Sequence, residues 1–240
     1  MNHSFVDHIF FALLLVLPLI EWKWSWPRHL VNLAAHPETA RLSFYRRIII
    51  GEWISTLILL SFWTARHRPW SRLSLAGDGP LPLALGLGGV LLLIGLLWLQ
   101  RRALLSRPDR RARVLKALSS GEPLVPHTPS ERKLFWIVSV TAGACEEIFF
   151  RGFLTWYLSA WIGPVGAVIA ASALFGIGHI YLGVVQVPKT AFVGFIFAVV
   201  AALSGSLFPA MLLHAAIDWN SGELGFRLLG MKDRDCLLDG

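Results

Sequence analysis

Residues 134–161 read LFWIVSVTAGACEEIFFRGFLTWYLSAW, an apolar run with two adjacent carboxylates and an arginine near its centre. The run is longer than the roughly 20 residues that an α-helix needs to cross a bilayer. On a scale derived from membrane-insertion experiments, an arginine or aspartate at mid-membrane costs about 2.5 to 3.5 kcal/mol in free energy. The stretch therefore predicts a membrane helix whose charged groups have a specific use.

The composition of the whole chain supports a membrane location. Hydrophobic residues make up 55% of the 240 residues, charged residues only 15%, and the mean hydropathy is +0.59. Soluble domains carry about 25% charged residues, so soluble enzyme folds are excluded. The 11 Trp and 15 Phe suit aromatic belts at the two bilayer interfaces. We expect a multi-pass protein of the cell membrane, with the lipid bilayer as its main partner.

Apolar runs recur along the chain and set the expected architecture. They cover residues 9–20, 48–64, 81–99, 134–161, 165–181, 187–203 and 207–226. The sequence therefore predicts an all-α polytopic bundle of about seven transmembrane helices. We divide it into a three-helix part over 1–127 with a basic cytoplasmic loop, a four-helix core over 128–230, and a cytoplasmic tail over 231–240.

The basic residues predict the orientation of the bundle. With the N-terminus outside, 18 of the 22 Lys and Arg fall in cytoplasmic segments, namely 23–47, 101–133, 182–189 and 227–240, which follows the last run. The C-terminus is then cytoplasmic. The same asymmetry accounts for the net charge of +7. We therefore do not expect a nucleic-acid partner.

The long basic loop contains two local signals. Residues 109–118 are interpreted either as a short basic helix on anionic lipid headgroups or as a solvated loop. Thr128-Pro129-Ser130-Glu131 has the form of a capping box with proline at the first helical position. The fourth membrane helix is therefore expected to begin in water.

Three glutamates in the second and fourth apolar runs require an explanation. Glu147 and Arg151 are four residues apart on one helix face, which favours a structural ion pair. Glu146 is rotated about 100° from Glu147 and has no partner of its own nearby, so we interpret it as a functional group. Glu52, in the second run, is either a partner for another helix or the mark of a shifted span.

His179 is predicted to lie at the depth of Glu146. The two runs are joined by a turn near 160–163 and should be antiparallel. Glu146 precedes this turn by about 14 residues and His179 follows it by about 16, roughly 21 and 24 Å at 1.5 Å per residue. A lone histidine is more often a packing residue, but the equal depth favours a shared site.

His214 and Asp218 form a further pair, four residues apart on the last run. A purely structural pair is one interpretation. To reach Glu146, the turn at Gly205-Ser206 must lie well inside the membrane, and protein-enclosed backbone can do so.

Glu146, His179, His214 and Asp218 together suggest hydrolysis by an activated water. Glu146 would accept a proton from water, His214 would stabilise the oxyanion, and Asp218 would orient the His214 ring. The chain contains neither G-x-S-x-G nor H-E-x-x-H. Cys145 is interpreted as a buried, inert residue rather than a nucleophile.

These residues form three ordered motifs that resemble a known family. They are Glu146-Glu147-x-x-x-Arg151, Phe175-x-x-x-His179 and His214-x-x-x-Asp218, each on its own predicted span. The pattern is similar to that of the type II CAAX prenyl endopeptidase and bacteriocin-immunity family of intramembrane proteases, over about residues 128–222.

The resemblance implies a role for each matched residue. Glu146 would be the general base with His179 beside it, and His214 with Asp218 would stabilise the oxyanion. Glu147, Arg151 and Phe175 would support them. The family has been described both as metal-dependent and as metal-free. We favour a site without a cofactor, and the alternative is a zinc ion bound by Glu146, His179 and His214.

Three functions follow from this pattern. The leading one is an intramembrane endopeptidase that cleaves a peptide or membrane-protein substrate near the cytoplasmic face. The second is a non-catalytic protection, immunity or scaffold protein of the same family. The third is a transporter in which Glu146 and His179 relay protons.

Overall fold

The structure is a computed structural model that describes residues 3–107 and 121–238, with side chains as far as residue 231. Within these ranges the regular structure is entirely helical. The helices are α1 (Phe5–Ile20), α2 (Trp26–Ala35), α3 (Pro37–Ala65), α4 (Pro80–Leu105), α5 (Pro129–Glu147), α6 (Thr155–Gly178), α7 (Val187–Ser204) and α8 (Leu207–Leu238). Two π-helical segments, Glu21–Ser25 and Ile148–Leu154, continue α1 into α2 and α5 into α6.

Five helical segments are long and apolar enough to cross a membrane. They are Phe5–Ala35, Pro37–Ala65, Pro80–Leu105, Pro129–Gly178 and Val184–Ser204. Many of their large apolar side chains point away from the protein interior, as expected where lipid replaces water as the solvent. The all-helical membrane fold is therefore confirmed, whereas the count of seven crossings, the orientation and the division at 127 and 230 stay predictions.

The longest apolar segment turns back on itself at its middle. Gly163 has φ 73°, a left-handed conformation that glycine adopts without strain, and Pro164 follows it. Phe150 before the turn and Phe175 after it have ring centroids 5.1 Å apart. The segment therefore consists of two antiparallel helices. The turn between them lies at Gly163, the last residue of the predicted turn at 160–163.

Residues 23–47, which the charge pattern assigns to the cytoplasm between two spans, are largely helical. The helix α2 folds back on the start of α3, where the His29 ring stacks on Phe44 at 4.0 Å and Trp26 meets Phe44 at 6.1 Å. Pro37 supplies a favourable first helical position for α3. The Lys and Arg residues of this region predicted its location, but they gave no indication of these aromatic contacts. The predicted helix or loop over 109–118 lies outside the described residues.

The start of α5 confirms the predicted capping box. The Thr128 hydroxyl accepts a hydrogen bond from the Glu131 amide at 3.2 Å, and a Glu131 oxygen accepts from the Thr128 amide at 3.0 Å. The same oxygen accepts from the His127 amide at 2.7 Å. The first turn of α5 is therefore held by reciprocal bonds.

The helix α5 lies between α3 and α8. Its contacts with α3 run in the same direction, since Tyr45 meets Phe135 at 5.5 Å and Trp53 donates to Thr141 Oγ1 at 3.1 Å. Its contacts with α8 run in the opposite direction. A Cβ atom on Gly143 would lie only 2.7 Å from the Met211 carbonyl oxygen, so the two backbones approach as closely as small residues allow.

The turn between α7 and α8 is enclosed by protein, as the predicted depth of His214 requires. Ser204 and Ser206 are fully buried, and Gly205 takes a left-handed φ of 64°. The Leu207 amide donates to the Ser74 carbonyl at 2.9 Å. A Cβ on Gly205 would meet the Asp78 side chain at 2.6 Å. The loop after α3 therefore covers this turn and satisfies its backbone.

Candidate active site

Four side chains from three parts of the fold converge. The Oε2 atom of Glu146 lies 3.9 Å from Nε2 of His179 and 3.9 Å from Nε2 of His214. The Oδ2 atom of Asp218 lies 3.5 Å from the same His214 nitrogen. The predicted convergence of Glu146, His179 and His214 in one place is what the structure shows, although their chemical roles stay predictions.

His179 lies at the end of a helix rather than inside one, since α6 ends at Gly178. Its Nδ1 atom is 2.9 Å from the Phe175 carbonyl oxygen, one turn earlier. A carbonyl can only accept, so Nδ1–H is the donor of this bond. In the neutral ring, Nε2 then carries a lone pair that faces Glu146.

The His214 ring is held by Glu147, a contact that the sequence did not indicate. Its Nδ1 atom lies 2.8 Å from Glu147 Oε1, so Nδ1–H donates to the carboxylate. The orienting role was expected for Asp218, which faces the other ring nitrogen, Nε2, at 3.5 Å. Two carboxylates therefore contact the ring, Glu147 at Nδ1 and Asp218 at Nε2. The orienting role of Asp218 stays a prediction.

Glu147 and Arg151 form the predicted ion pair, at 3.0 Å. Arg151 also donates from Nη2 to the Gly194 carbonyl on α7 at 2.8 Å, and its guanidinium lies 4.2 Å from the Phe175 ring centroid. A Cβ on Gly194 would come within 2.7 Å of Nη2. Arg151 therefore ties α7 to the carboxylate that holds His214.

Two aromatic rings enclose the histidines. Phe175 meets the His214 ring edge-on at 5.7 Å and lies 4.8 Å from the His179 ring. Phe197 stacks on His214 at 4.6 Å and 17°. Phe175 was expected to support the site, but Phe197 was not. No signal in its apolar run separates it from Phe195, which faces outward.

The site combines buried support with an accessible front. The Glu146 and His179 side chains are 21% and 20% exposed, whereas His214 is 4% exposed and Glu147 is fully buried. The Oε2 atom of Glu146 accepts no hydrogen bond from the described residues. A substrate could thus reach the carboxylate that has spare bonding capacity.

Glu52 belongs beside this site. Its Oε2 atom is buried and accepts no hydrogen bond from the described residues. Glu146, His214 and Asp218 are near enough for their charges to act on it. Of the two interpretations from the sequence, the structure favours a carboxylate that faces neighbouring helices.

The positions of the donor atoms bear on the zinc alternative. Zinc ligands lie about 2.0–2.2 Å from the metal, which places nitrogen and oxygen ligands of a tetrahedral site about 3.3–3.6 Å apart. The two distances from Glu146 to the histidines are 3.9 Å. In the described part of the chain, no group of three or more His, Cys, Asp or Glu is placed to hold a metal ion. The residues as placed do not fit zinc.

A comparison with family models adds an independent finding. The model described as type II CAAX prenyl endopeptidase Rce1-like matches residues 129–220. The family resemblance is confirmed for this region. It runs from the start of α5 into α8 and contains every predicted site residue, but it excludes α1–α4 and Glu52. No curated protein and no solved structure matches the chain.

Proposed function

We propose that this protein is an intramembrane endopeptidase of the cell membrane that hydrolyses a peptide bond with a water activated by Glu146. One observation carries the proposal. The Oε2 atom of Glu146 has no hydrogen-bond partner among the described residues and faces the Nε2 atoms of His179 and His214 at equal distances of 3.9 Å. The family match to residues 129–220 supports the same reaction class.

The spacing of Glu146 and His179 suits a shared water. Two polar atoms 3.9 Å apart are too distant for a direct hydrogen bond. A water about 2.8 Å from each would bridge them at an angle of roughly 90°. One of its hydrogens would point to the Glu146 carboxylate and the other to the His179 lone pair. Glu146 then removes a proton while His179 orients the nucleophile.

In the same reaction, His214 would stabilise the negative charge that develops on the substrate. Attack of hydroxide on the peptide carbonyl places negative charge on its oxygen. With Nδ1–H bound to Glu147, the doubly protonated ring has Nε2–H available to donate to that oxygen. The C–N bond then breaks as Glu146 returns its proton to the leaving nitrogen. Water is consumed, its hydroxyl ending on the new carboxyl group and its proton on the new amine.

The distribution of Lys and Arg along the chain supports a reaction site near the cytoplasmic face of the membrane. Seven crossings with the N-terminus outside and the C-terminus in the cytoplasm would put Glu146 some 6 to 9 Å below the cytoplasmic face of a roughly 30 Å apolar core. A peptide or the tail of a membrane protein would reach it from that side. The proposal needs no cofactor.

Comparative proteomics of host membranes tests this function. Strains that contain the wild-type protein, Glu146→Gln or Glu38→Gln should be compared for proteins with shortened termini. Glu38 is an exposed carboxylate at the start of α3, so its variant removes the same charge outside the site. We expect at least one shortened protein with wild type and Glu38→Gln but not with Glu146→Gln. Identical termini in all three strains, at equal protein levels, would contradict proteolysis and support a protection or scaffold function.

A further inference from the structure

Glu52 contributes a carboxylate from outside the region that matches the family. It lies on α3, whereas the matched region begins at residue 129. Its neighbour Trp53 donates to Thr141 Oγ1 at 3.1 Å, which fixes the register of α3 against α5. Thr141 is five residues before Glu146, roughly 7.5 Å along the axis. Glu52 precedes Trp53, so its backbone lies about six residues, or roughly 9 Å, from the level of Glu146, towards the Pro129 end of α5.

Asp218 lies towards the same end. It is one turn beyond His214 on α8, and α8 runs antiparallel to α5. Further along α8, a Cβ on Gly222 would clash with the Phe135 ring, which is near the start of α5. Asp218 is 37% exposed. Glu52, Asp218 and Glu146 therefore line one side of the site, which we call the acidic vestibule.

Tyr181 provides a floor for this acidic vestibule. Its ring stacks on His179 at 6.0 Å and meets Trp26 at 5.1 Å. His179 in turn faces Glu146, at 3.9 Å between Nε2 and Oε2. An aromatic face bordered by carboxylates is a favourable environment for an organic cation.

The acidic vestibule has more acidic than basic groups. Among the described residues, the basic partners in ion-pair range are His179 and His214 for Glu146, and His214 for Asp218. No lysine or arginine in this part of the chain pairs with Glu52. Arg151 is already bound to Glu147 and Gly194. Buried carboxylates without a compensating cation are costly, so a cation supplied by a ligand would bind favourably.

We propose that the acidic vestibule binds a lysine or arginine side chain of the substrate beside the scissile bond, with Glu52 as the specificity-determining residue. This inference rests on the proposed endopeptidase function. The carboxylates of Glu52 and Asp218 would bind the cationic group while Glu146 activates water. The preferred substrate is then a peptide that carries a basic residue next to the cleaved bond.

The test uses the purified full-length protein in lipid nanodiscs. The probes are sets of peptides that differ at one scanned position by lysine, norleucine or glutamate, with the products measured by mass spectrometry. At the position that contacts Glu52, we expect wild type to cleave the lysine peptide with a kcat/KM about tenfold above that of the norleucine peptide. In Glu52→Gln, the ratio of kcat/KM for the lysine peptide to kcat/KM for the norleucine peptide should fall from about ten to about one. Glu52→Lys should favour the glutamate peptide, and Glu38→Gln should behave as wild type.

The possible failures can be told apart. If wild type cleaves no peptide, the endopeptidase function itself is contradicted. If it cleaves peptides with no lysine preference, or if Glu52→Gln keeps that preference, only the role of the acidic vestibule is overturned. Should Glu52→Gln not fold, inhibition of wild type by uncleavable reduced-bond peptides replaces it. The lysine form should then inhibit about tenfold more tightly than the norleucine form, and equal inhibition would overturn the proposal.

Discussion

Two buried pairs of a carboxylate and an arginine, one in each half of the chain, use their bonding capacity differently. In the N-terminal half, Arg68 donates to both oxygens of Asp7 at 2.7 Å, and Ser4 donates to Oδ2 from its amide and its hydroxyl. Every Asp7 oxygen is therefore occupied by structural bonds. Such a pair holds α1 against the loop after α3 and has no capacity left for chemistry.

The pair in the C-terminal half is a link in a chain of contacts. Glu147 accepts from Arg151 and from His214 through a single oxygen, and its Oε2 atom accepts no hydrogen bond from the described residues. The next residue back, Glu146, also has an oxygen without a partner in the described part of the chain. A charged group kept in a low-dielectric region with unused bonding capacity indicates function more strongly than burial alone does.

Replacing the two arginines should separate stability from activity and give the largest effect. Arg151→Ala leaves Glu147 buried without its cation, so we expect the free energy of unfolding to fall by about 3–5 kcal/mol. We also expect this variant to lose cleavage activity. Arg68→Ala should also destabilise the protein, but the folded molecules should cleave at the wild-type rate. Thermal unfolding in detergent and turnover per folded molecule measure both. Wild-type stability of Arg151→Ala would refute the structural role of this pair.

Glu147→Gln tests whether the second carboxylate acts through His214. Loss of its charge should weaken the hold on the ring, and we expect kcat to fall about tenfold or more while KM changes little. Glu223 offers a matched control, because it binds Arg227 four residues later at 2.6 Å and Arg132 at 2.6 Å, but no histidine among the described residues. Glu223→Gln should lower stability and leave kcat unchanged. Equal kcat values in the two variants would rule out the proposed link.

A smaller effect should follow from closing the space between α5 and α8. In Gly143→Ala the new Cβ would lie 2.7 Å from the Met211 carbonyl oxygen, so we expect a loss of about 1–3 kcal/mol. In the N-terminal half, a Cβ on Gly88 of α4 would meet no neighbouring atom within 4 Å. Gly88→Ala should therefore be neutral or slightly stabilising in the same thermal assay. A neutral Gly143→Ala would show that the helices can separate without cost.

Removal of metal should have the smallest effect of all. The proposed mechanism uses a water that bridges Glu146 and His179, which lie 3.9 Å apart, and it uses no metal ion. Prolonged treatment with a chelator should therefore leave the rate of peptide cleavage unchanged. Peptide turnover before and after dialysis against EDTA measures this directly. Loss of activity that zinc restores would assign the spare oxygen of Glu146 to a metal ion.

The sequence predicted the parts of the site that depend on distance along a helix. Glu146 and His179 were matched by counting residues from the turn near Gly163, and this works because the rise per residue is nearly constant. The pairing of Glu147 with Arg151 followed from their spacing of four residues. The Thr128 cap depended only on four consecutive residues.

The remaining contacts depend on how each helix is rotated about its axis. The π-helical segment Ile148–Leu154 rotates the side chains that follow it about the helix axis relative to those before Glu147. The sequence of this segment does not predict a π-helix. The contact of Glu147 with His214 and the stacking of Phe197 depend on which faces meet across helices. Glu52 was visible as a charge in an apolar run, but its neighbours became known only from the register of α3 against α5.

Cleavage of a peptide in ¹⁸O-labelled water tests the central claim most directly. The purified wild-type protein should place one labelled oxygen in the new carboxyl terminus of each product. Glu146→Gln, which keeps the shape of the side chain but cannot accept the proton, should be at least about 100-fold slower while unfolding at the same temperature. Cleavage by folded Glu146→Gln at the wild-type rate would contradict the assignment of Glu146 as the base that activates water.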